Sequence, residues 1–170
     1  MLIIYNNGVG KMQKEHVALE QEMCEKLYAN AEEQLGFFQI ELEDFLNKYY
    51  KKDYSLDFRV KTADKMMKKL AYRRLEGRVI EPHELPDIIG FRVAVASEVD
   101  VIELSNLIEE CLKPLRKVDH FSIPTTSGFK ANLYYFSSNL INVEIQVMTQ
   151  KMKLWVNETH DEYDRRKYKI

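Results

Sequence analysis

Asp87-Ile88-Ile89-Gly90-Phe91-Arg92-Val93-Ala94-Val95-Ala96 is the stretch that decides the fold. From Ile88 onward it is apolar and β-branched, interrupted by Arg92, which reads as the central strand of a sheet. A central strand needs neighbours, and the chain supplies them on both sides. Upstream, Ser55-Leu56-Asp57-Phe58-Arg59-Val60-Lys61 alternates polar and apolar residues. Such alternation predicts a half-buried strand with Leu56, Phe58 and Val60 on one face and Asp57, Arg59 and Lys61 on the other. Downstream, residues 118–121, 130–137 and 140–148 read as further strands, with Ser137-Ser138-Asn139 as the turn joining the last two.

Helical patterns separate these strands. Residues 11–50 carry a stripe three or four apart: Met12, His16, Leu19, Met23, Leu27, Ala31, Leu35, Phe38, Leu42, Phe45 and Tyr49. Asn30 and Gly36 weaken its middle, so either one long helix or two meeting near Gly36 is expected. Thr62 is placed to cap a second helix reaching about Leu75, with Asp64 in its first turn, Met66, Leu70 and Met67 inward, and Lys65, Lys68, Lys69 and Arg73 as a basic ridge. Ser97 with Asp100 forms a capping box for a third helix to about Lys113. A fourth begins near Gln150 with Met152, Trp155, Val156 and Thr159 inward. The expected fold is α/β (α+β), a mixed sheet flanked by helices. Residues 1–50 form a helical segment packing on a core of residues 51–170, one domain overall.

Composition narrows the function. The chain has 170 residues, 45% hydrophobic and 31% charged, ordinary for a globular protein with a real core. No apolar run approaches the ~20 residues of a membrane helix, and Met1-Leu2-Ile3-Ile4-Tyr5 lacks the length and basic flank of a signal peptide. Cys24 and Cys111 have no metal-ligand spacing and read as buried free thiols of a reducing cytoplasm, the expected location. The net charge of −2 hides an asymmetry: residues 51–78 hold 10 basic and 4 acidic side chains, residues 79–114 hold 2 and 8. One concentrated basic segment in a near-neutral chain suits a compact polyanion such as a nucleotide triphosphate, and suits duplex nucleic acid less well.

Two acids carry the chemistry. Asp87 and Glu144, the latter in Val143-Glu144-Ile145-Gln146-Val147, each border an apolar strand, where a carboxylate is costly unless a cation holds it. Such a residue is a magnesium ligand or one half of a buried ion pair. With Arg59, Lys61, Lys68, Lys69 and Arg92 to neutralise phosphate, and Phe129 as a flat surface for a base, these residues outline a magnesium–nucleotide site. The plainer alternative for the basic ridge is a solvated helix face.

Arg59-Val60-Lys61-Thr62, Asp87 to Arg92, the Asp119…Pro124…Ser127-Gly128-Phe129 loop, and Glu144-Ile145-Gln146 with Thr149, followed by Trp155 and His160, together resemble the RelA/SpoT synthetase family in order and spacing. The resemblance spans about residues 50–165. It implies a nucleotidyltransferase-like, five-stranded mixed sheet in a small alarmone synthetase with no hydrolase half. The implied reaction moves pyrophosphate from ATP to the 3′-hydroxyl of GDP or GTP. In those terms Asp87 and Glu144 are catalytic and bind Mg2+. Arg59, Lys61, Lys68, Lys69 and Arg92 bind ATP, and Phe129, Lys130, Gln146 and His160 bind the acceptor. Assembly as a homotetramer is a further implication.

The departures from that family fall on the acceptor side. Pro-Lys, Gly-Tyr-Arg-Ser-x-His and Glu-x-Gln-x-Arg-Thr become Pro124-Thr125, Gly128-Phe129-Lys130-Ala131-Asn132-Leu133 and Glu144-Ile145-Gln146-Val147-Met148-Thr149. Each charge-assisted bond lost is worth roughly 1.5–3 kcal/mol. Three readings follow: a divergent guanosine nucleotide pyrophosphokinase, a pyrophosphokinase for another acceptor such as the tRNA 3′ end, or an inactive nucleotide-binding regulatory module.

Overall fold

In the computed structural model, which describes the backbone from Tyr5 to Lys167 and the side chains of residues 15–159, a helix α1 (Tyr5–Phe45) leads into the sheet through a π turn, Leu46–Tyr50. Then follow β1 (Tyr54–Val60), α2 (Ala63–Leu75), a 3-10 turn (Pro82–Glu84), β2 (Ile89–Val95), α3 (Glu98–Leu107) ending in a second π turn (Ile108–Leu112), β3 (Arg116–Asp119), β4 (Asn132–Ser138), β5 (Ile141–Thr149) and α4 (Gln150–Lys167). The sheet order is β1-β2-β5-β4-β3, with β2 and β5 parallel and every other pair antiparallel. This is the mixed five-stranded sheet with flanking helices that the sequence predicts.

Alternation assigns the two faces. Phe91, Val93 and Val95 of β2 and Val143, Ile145 and Val147 of β5 join Cys24, Ala31, Leu42 and Phe45 of α1, Met66 and Leu70 of α2, and Val101 and Leu104 of α3 in the main core. The opposite face is only half covered. Ala94, Ala131, Leu133 and Met148 bury against Val156 of α4, with Met152 and Trp155 beside it. Helix α4 borders the register row Asp57–Arg92–Gln146–Leu133, with Lys153 on Asp57 and Asn157 on Arg92, and beyond it that face continues along Arg59–Gly90–Glu144–Tyr135. Candidate site residues lie along these two rows.

Local signals behave largely as written. Thr62 Oγ1 accepts from Lys65 N, and Ser97 and Asp100 form the reciprocal capping box. Of the two forms expected for the first helix the single long one is observed, and three other details differ. Helix α1 runs unbroken through Gly36, where an added Cβ would meet nothing within 4 Å, so the glycine's cost stays local. His16, Leu19 and Tyr49 are exposed, because the helix extends past the core at its start and shifts phase in the π turn at its end. Met12 lies outside the described side chains. The last hairpin turns on Asn139-Leu140, both with positive φ (50° and 66°), one residue later than expected. Cys24 is buried as expected, whereas Cys111 is exposed in the α3 π turn.

One buried polar contact ties α1 to α2. Glu20, 5% exposed, pairs with Arg74, leaving its second oxygen without a partner among the described residues. No helix among the described residues is long and apolar enough to cross a membrane.

Candidate active site

The antiparallel pairing of β1 with β2 closes at Val60–Ile89, and Lys61 N still donates to Ile88 O at 2.8 Å. Lys61 and Asp87 therefore flank the same end of the ladder. The Thr62 cap starts α2 at once, which brings Lys69 back over that end. Lys61 Nζ lies 2.7 Å from Asp87 Oδ2, and Lys69 Nζ lies 2.6 Å from Asp87 Oδ1. All three side chains are 9–13% exposed. Burial alone raises the Asp87 carboxyl pKa, but the two ammonium groups outweigh it and hold the group below the ordinary carboxylate value. Burial lowers Lys61, and Lys69 and Arg59 add to that against the opposing pull of Asp87. Two cations on one acid make a nearly buried cluster with surplus positive charge. Such a surplus is unfavourable until an anion joins it.

Glu144 faces this cluster from β5. It is 8% exposed, and Gln146 Nε2 donates to its Oε1 at 2.7 Å. Arg92 Nε in turn donates to Gln146 Oε1 at 3.2 Å, while Arg92 Nη1 reaches Asn157 Oδ1 of α4 at 3.1 Å. Gln146 thus links a guanidinium to a carboxylate and fixes both orientations. The neighbouring Tyr135 phenol is pushed well above its usual pKa, by burial first and by the Glu144 carboxylate next. Arg59 lies across Gly90, where a Cβ would stand 3.7 Å from its Cγ and 3.8 Å from its Nε, so the glycine forms a flat floor beneath the arginine stem.

Asp87 and Glu144 line one cavity of about 120 Å3, together with Asp57, Arg59, Gly90, Arg92 and Gln146. Of the residues expected to serve the site, Asp87, Glu144, Arg59, Arg92 and Gln146 meet around it, and Lys61 and Lys69 stand behind Asp87. Lys68 is exposed on α2 and lines neither this cavity nor the larger one beside it. Lys130 is directed away: it pairs with Glu98 of α3 at 2.6 Å and caps the Phe121 ring at 4.6 Å. Phe129 packs against the α4-side cluster, edge-on to His120 at 6.1 Å, outside both cavities. The His160 side chain lies outside the described residues. Tyr135 was not anticipated. The signal for it was the β4 alternation, which puts 131, 133 and 135 on one face with Tyr135 opposite Glu144.

The donor set can be compared with what magnesium requires. Three carboxylates line the cavity, of which Asp57 is paired with Lys153 at 2.8 Å, and no group of three or more His, Cys, Asp or Glu that could hold a metal ion occurs among the described residues. One or two carboxylates completed by phosphate oxygens is the usual protein share for magnesium, so the residues present fit that ion with a nucleotide and not alone.

Residues 58–168 match the family model described as the region found in RelA / SpoT proteins. No curated protein matches the chain. Several solved structures share its architecture. Small alarmone synthetase 1 from Bacillus subtilis bound to its product pppGpp is 18% identical, with a TM-score of 0.65 over 82% of this chain and 80% of that one. A GTP pyrophosphokinase family protein from Streptococcus pneumoniae is 23% identical, with a TM-score of 0.56 over 76% and 71%. The Bacillus subtilis small alarmone synthetase 1 bound to AMPCPP is 21% identical, with a TM-score of 0.50 over 79% and 73%. These likenesses establish a shared fold.

Proposed function

The chain belongs to the RelA/SpoT family, and from that premise we propose that it transfers pyrophosphate from ATP to the 3′-hydroxyl of GDP or GTP. The observation that carries this reading is the surplus-positive Lys61–Asp87–Lys69 cluster facing Glu144 across one cavity. The cluster calls for phosphate, and the two acids would hold a divalent ion that adds positive charge beside it.

Arg59 and Arg92 rise on either side of Gly90 and offer guanidinium faces to a purine. Lys61 and Lys69 neutralise the donor's phosphate oxygens and hold the chain in line. Asp87 and Glu144 would hold Mg2+, which supplies further positive charge to those oxygens when bound. Glu144, oriented by Gln146, orients the acceptor hydroxyl and receives its proton. The new bond joins the acceptor 3′-oxygen to the β-phosphorus. The bond from that phosphorus to the α–β bridging oxygen breaks, and AMP departs with the electron pair.

One observation favours a different acceptor. Ala131, Leu133 and Met148, where the family carries polar or charged groups, are buried in the apolar α4-side cluster. That arrangement suits a narrower guanosine contact or another hydroxyl, such as the tRNA 3′ end. Incubation with γ-labelled ATP, magnesium and separately GDP, GTP or tRNA distinguishes them. Label on a guanosine nucleotide supports the main reading and label on tRNA the second; ATP binding without any transfer defeats both.

A further inference from the structure

The cavity of about 120 Å3 around Asp87 and Glu144 is small beside the roughly 300–1,000 Å3 usual for small-molecule sites. A larger one of about 390 Å3 adjoins it and has no role in the site as described so far. Its walls carry Arg73 and Arg78 from the end of α2 and the loop after it, Arg116 from β3, Glu84, and Tyr135 and Asn142 from the β4–β5 hairpin. Three links join the two cavities. Pro86 of the larger precedes Asp87 of the smaller. Arg73 follows Lys69 by four residues on α2, so both lie on one helix face. Tyr135 stands between them, facing Glu144 on one side and stacked beneath Arg116, whose guanidinium carbon is 4.2 Å from the ring centroid.

The charge in this cavity is unbalanced. Three arginines meet one lining carboxylate, and Glu84 already accepts a backbone hydrogen bond from Glu81 N at 2.7 Å. Arg73 also pairs with Glu76 at 2.9 Å, but that acid is a third exposed and outside the cavity wall, so it competes weakly with a bound anion. The Asn142 amide already donates to His83 O at 2.8 Å and Leu85 O at 2.9 Å, and the Tyr135 hydroxyl faces Glu144, so the three arginine forks are the donors left for phosphate oxygens.

Resting on the reading above, we infer that this larger cavity is a second phosphate subsite, in which Arg73, Arg78 and Arg116 take the phosphate chain of a nucleotide reaching past Tyr135 from the Asp87–Glu144 cavity. The chain has two possible sources, the distal phosphates of the donor triphosphate or the 5′-phosphates of the acceptor, and the chemistry is the same for both.

Calorimetric titration separates them. The wild type and an Arg78→Ala/Arg116→Ala double variant, its fold checked by circular dichroism, are titrated with AMP, α,β-methylene-ATP, guanosine and GDP in magnesium. In the wild type the added phosphates tighten binding within each pair. In the double variant we expect that gain to shrink roughly tenfold or more in one pair, with the phosphate-poor member unchanged. The adenosine pair shrinking identifies the donor, the guanosine pair the acceptor. Unchanged gains in both pairs, with binding intact, overturn the subsite and leave the proposed activity standing. A wild type that binds none of the four overturns both.

Discussion

Asp87 is held by Lys61 and Lys69 at once, one ammonium on each carboxylate oxygen at 2.7 and 2.6 Å, so the residue assigned to metal is already neutralised by lysine. This relationship explains how the acid survives near-burial at the edge of an apolar strand. Burial opposes its charge, and the lysines more than offset that opposition. The same lysines are the groups that a phosphate chain would draw away, and Asp87 would then be free to hold a metal.

The pH behaviour follows from the direction of that shift. Because the Asp87 pKa is depressed in the folded protein, its pairing adds stability above the ordinary carboxylate value of about 3.9, lost as pH falls through the lower folded value. Lys61→Met leaves burial opposed by Lys69 alone, so the Asp87 midpoint, read by carboxyl carbon NMR, moves upward. Acid unfolding of this variant should begin at higher pH. An unmoved midpoint would show that Lys61 does not set the charge of Asp87.

Gln146 bridges Arg92 and Glu144 through its two amide atoms. Gln146→Leu keeps the side chain's bulk and removes both bonds, leaving a half-buried guanidinium and a buried carboxylate less well oriented. Transfer activity should fall about 10- to 100-fold, as for other residues that orient a reacting group, with a stability loss of about 1–2 kcal/mol by denaturant titration. Activity within twofold of wild type would remove Gln146 from the positioning role.

Away from the site, Leu140 occupies the second position of the β4–β5 turn with φ 66° and is 73% exposed. A branched residue in the left-handed region costs about 1 kcal/mol with no burial to offset it, and Asn-Gly is the preferred pair for this turn. Leu140→Gly should raise the denaturant midpoint by an amount equivalent to about 1 kcal/mol and leave nucleotide affinity unchanged. A lowered midpoint would mean that Leu140 has a packing role.

Much of this was legible in the chain, for physical reasons that differ from element to element. The alternation of Ser55 to Lys61 and the apolar run after Asp87 specify β1 and β2, because a one-residue slip would turn every core side chain to solvent. Thr62, Ser97 and Asp100 mark helix starts, since orphan backbone amides need such side chains. Lys130 was harder to place. In the β4 phase that points Ala131 and Leu133 toward α4, residue 130 belongs to the opposite face, and there Glu98 holds it. The phase of the α1 stripe was obscured by a helix longer than the core beneath it, so Leu19 is exposed while Cys24 is buried. Tyr135 went unseen because a tyrosine in a strand reads as packing until the register sets it against Glu144.

The central claim is that Asp87 and Glu144 act together on one metal–nucleotide. A double-mutant cycle on the affinity of α,β-methylene-ATP, in magnesium and in chelator, tests it most directly. Asp87→Asn and Glu144→Gln should each erase most of the magnesium-dependent gain, and the double variant should lose little more than either, a strongly non-additive result. Additive losses, or a magnesium gain that survives in both single variants, would contradict the claim.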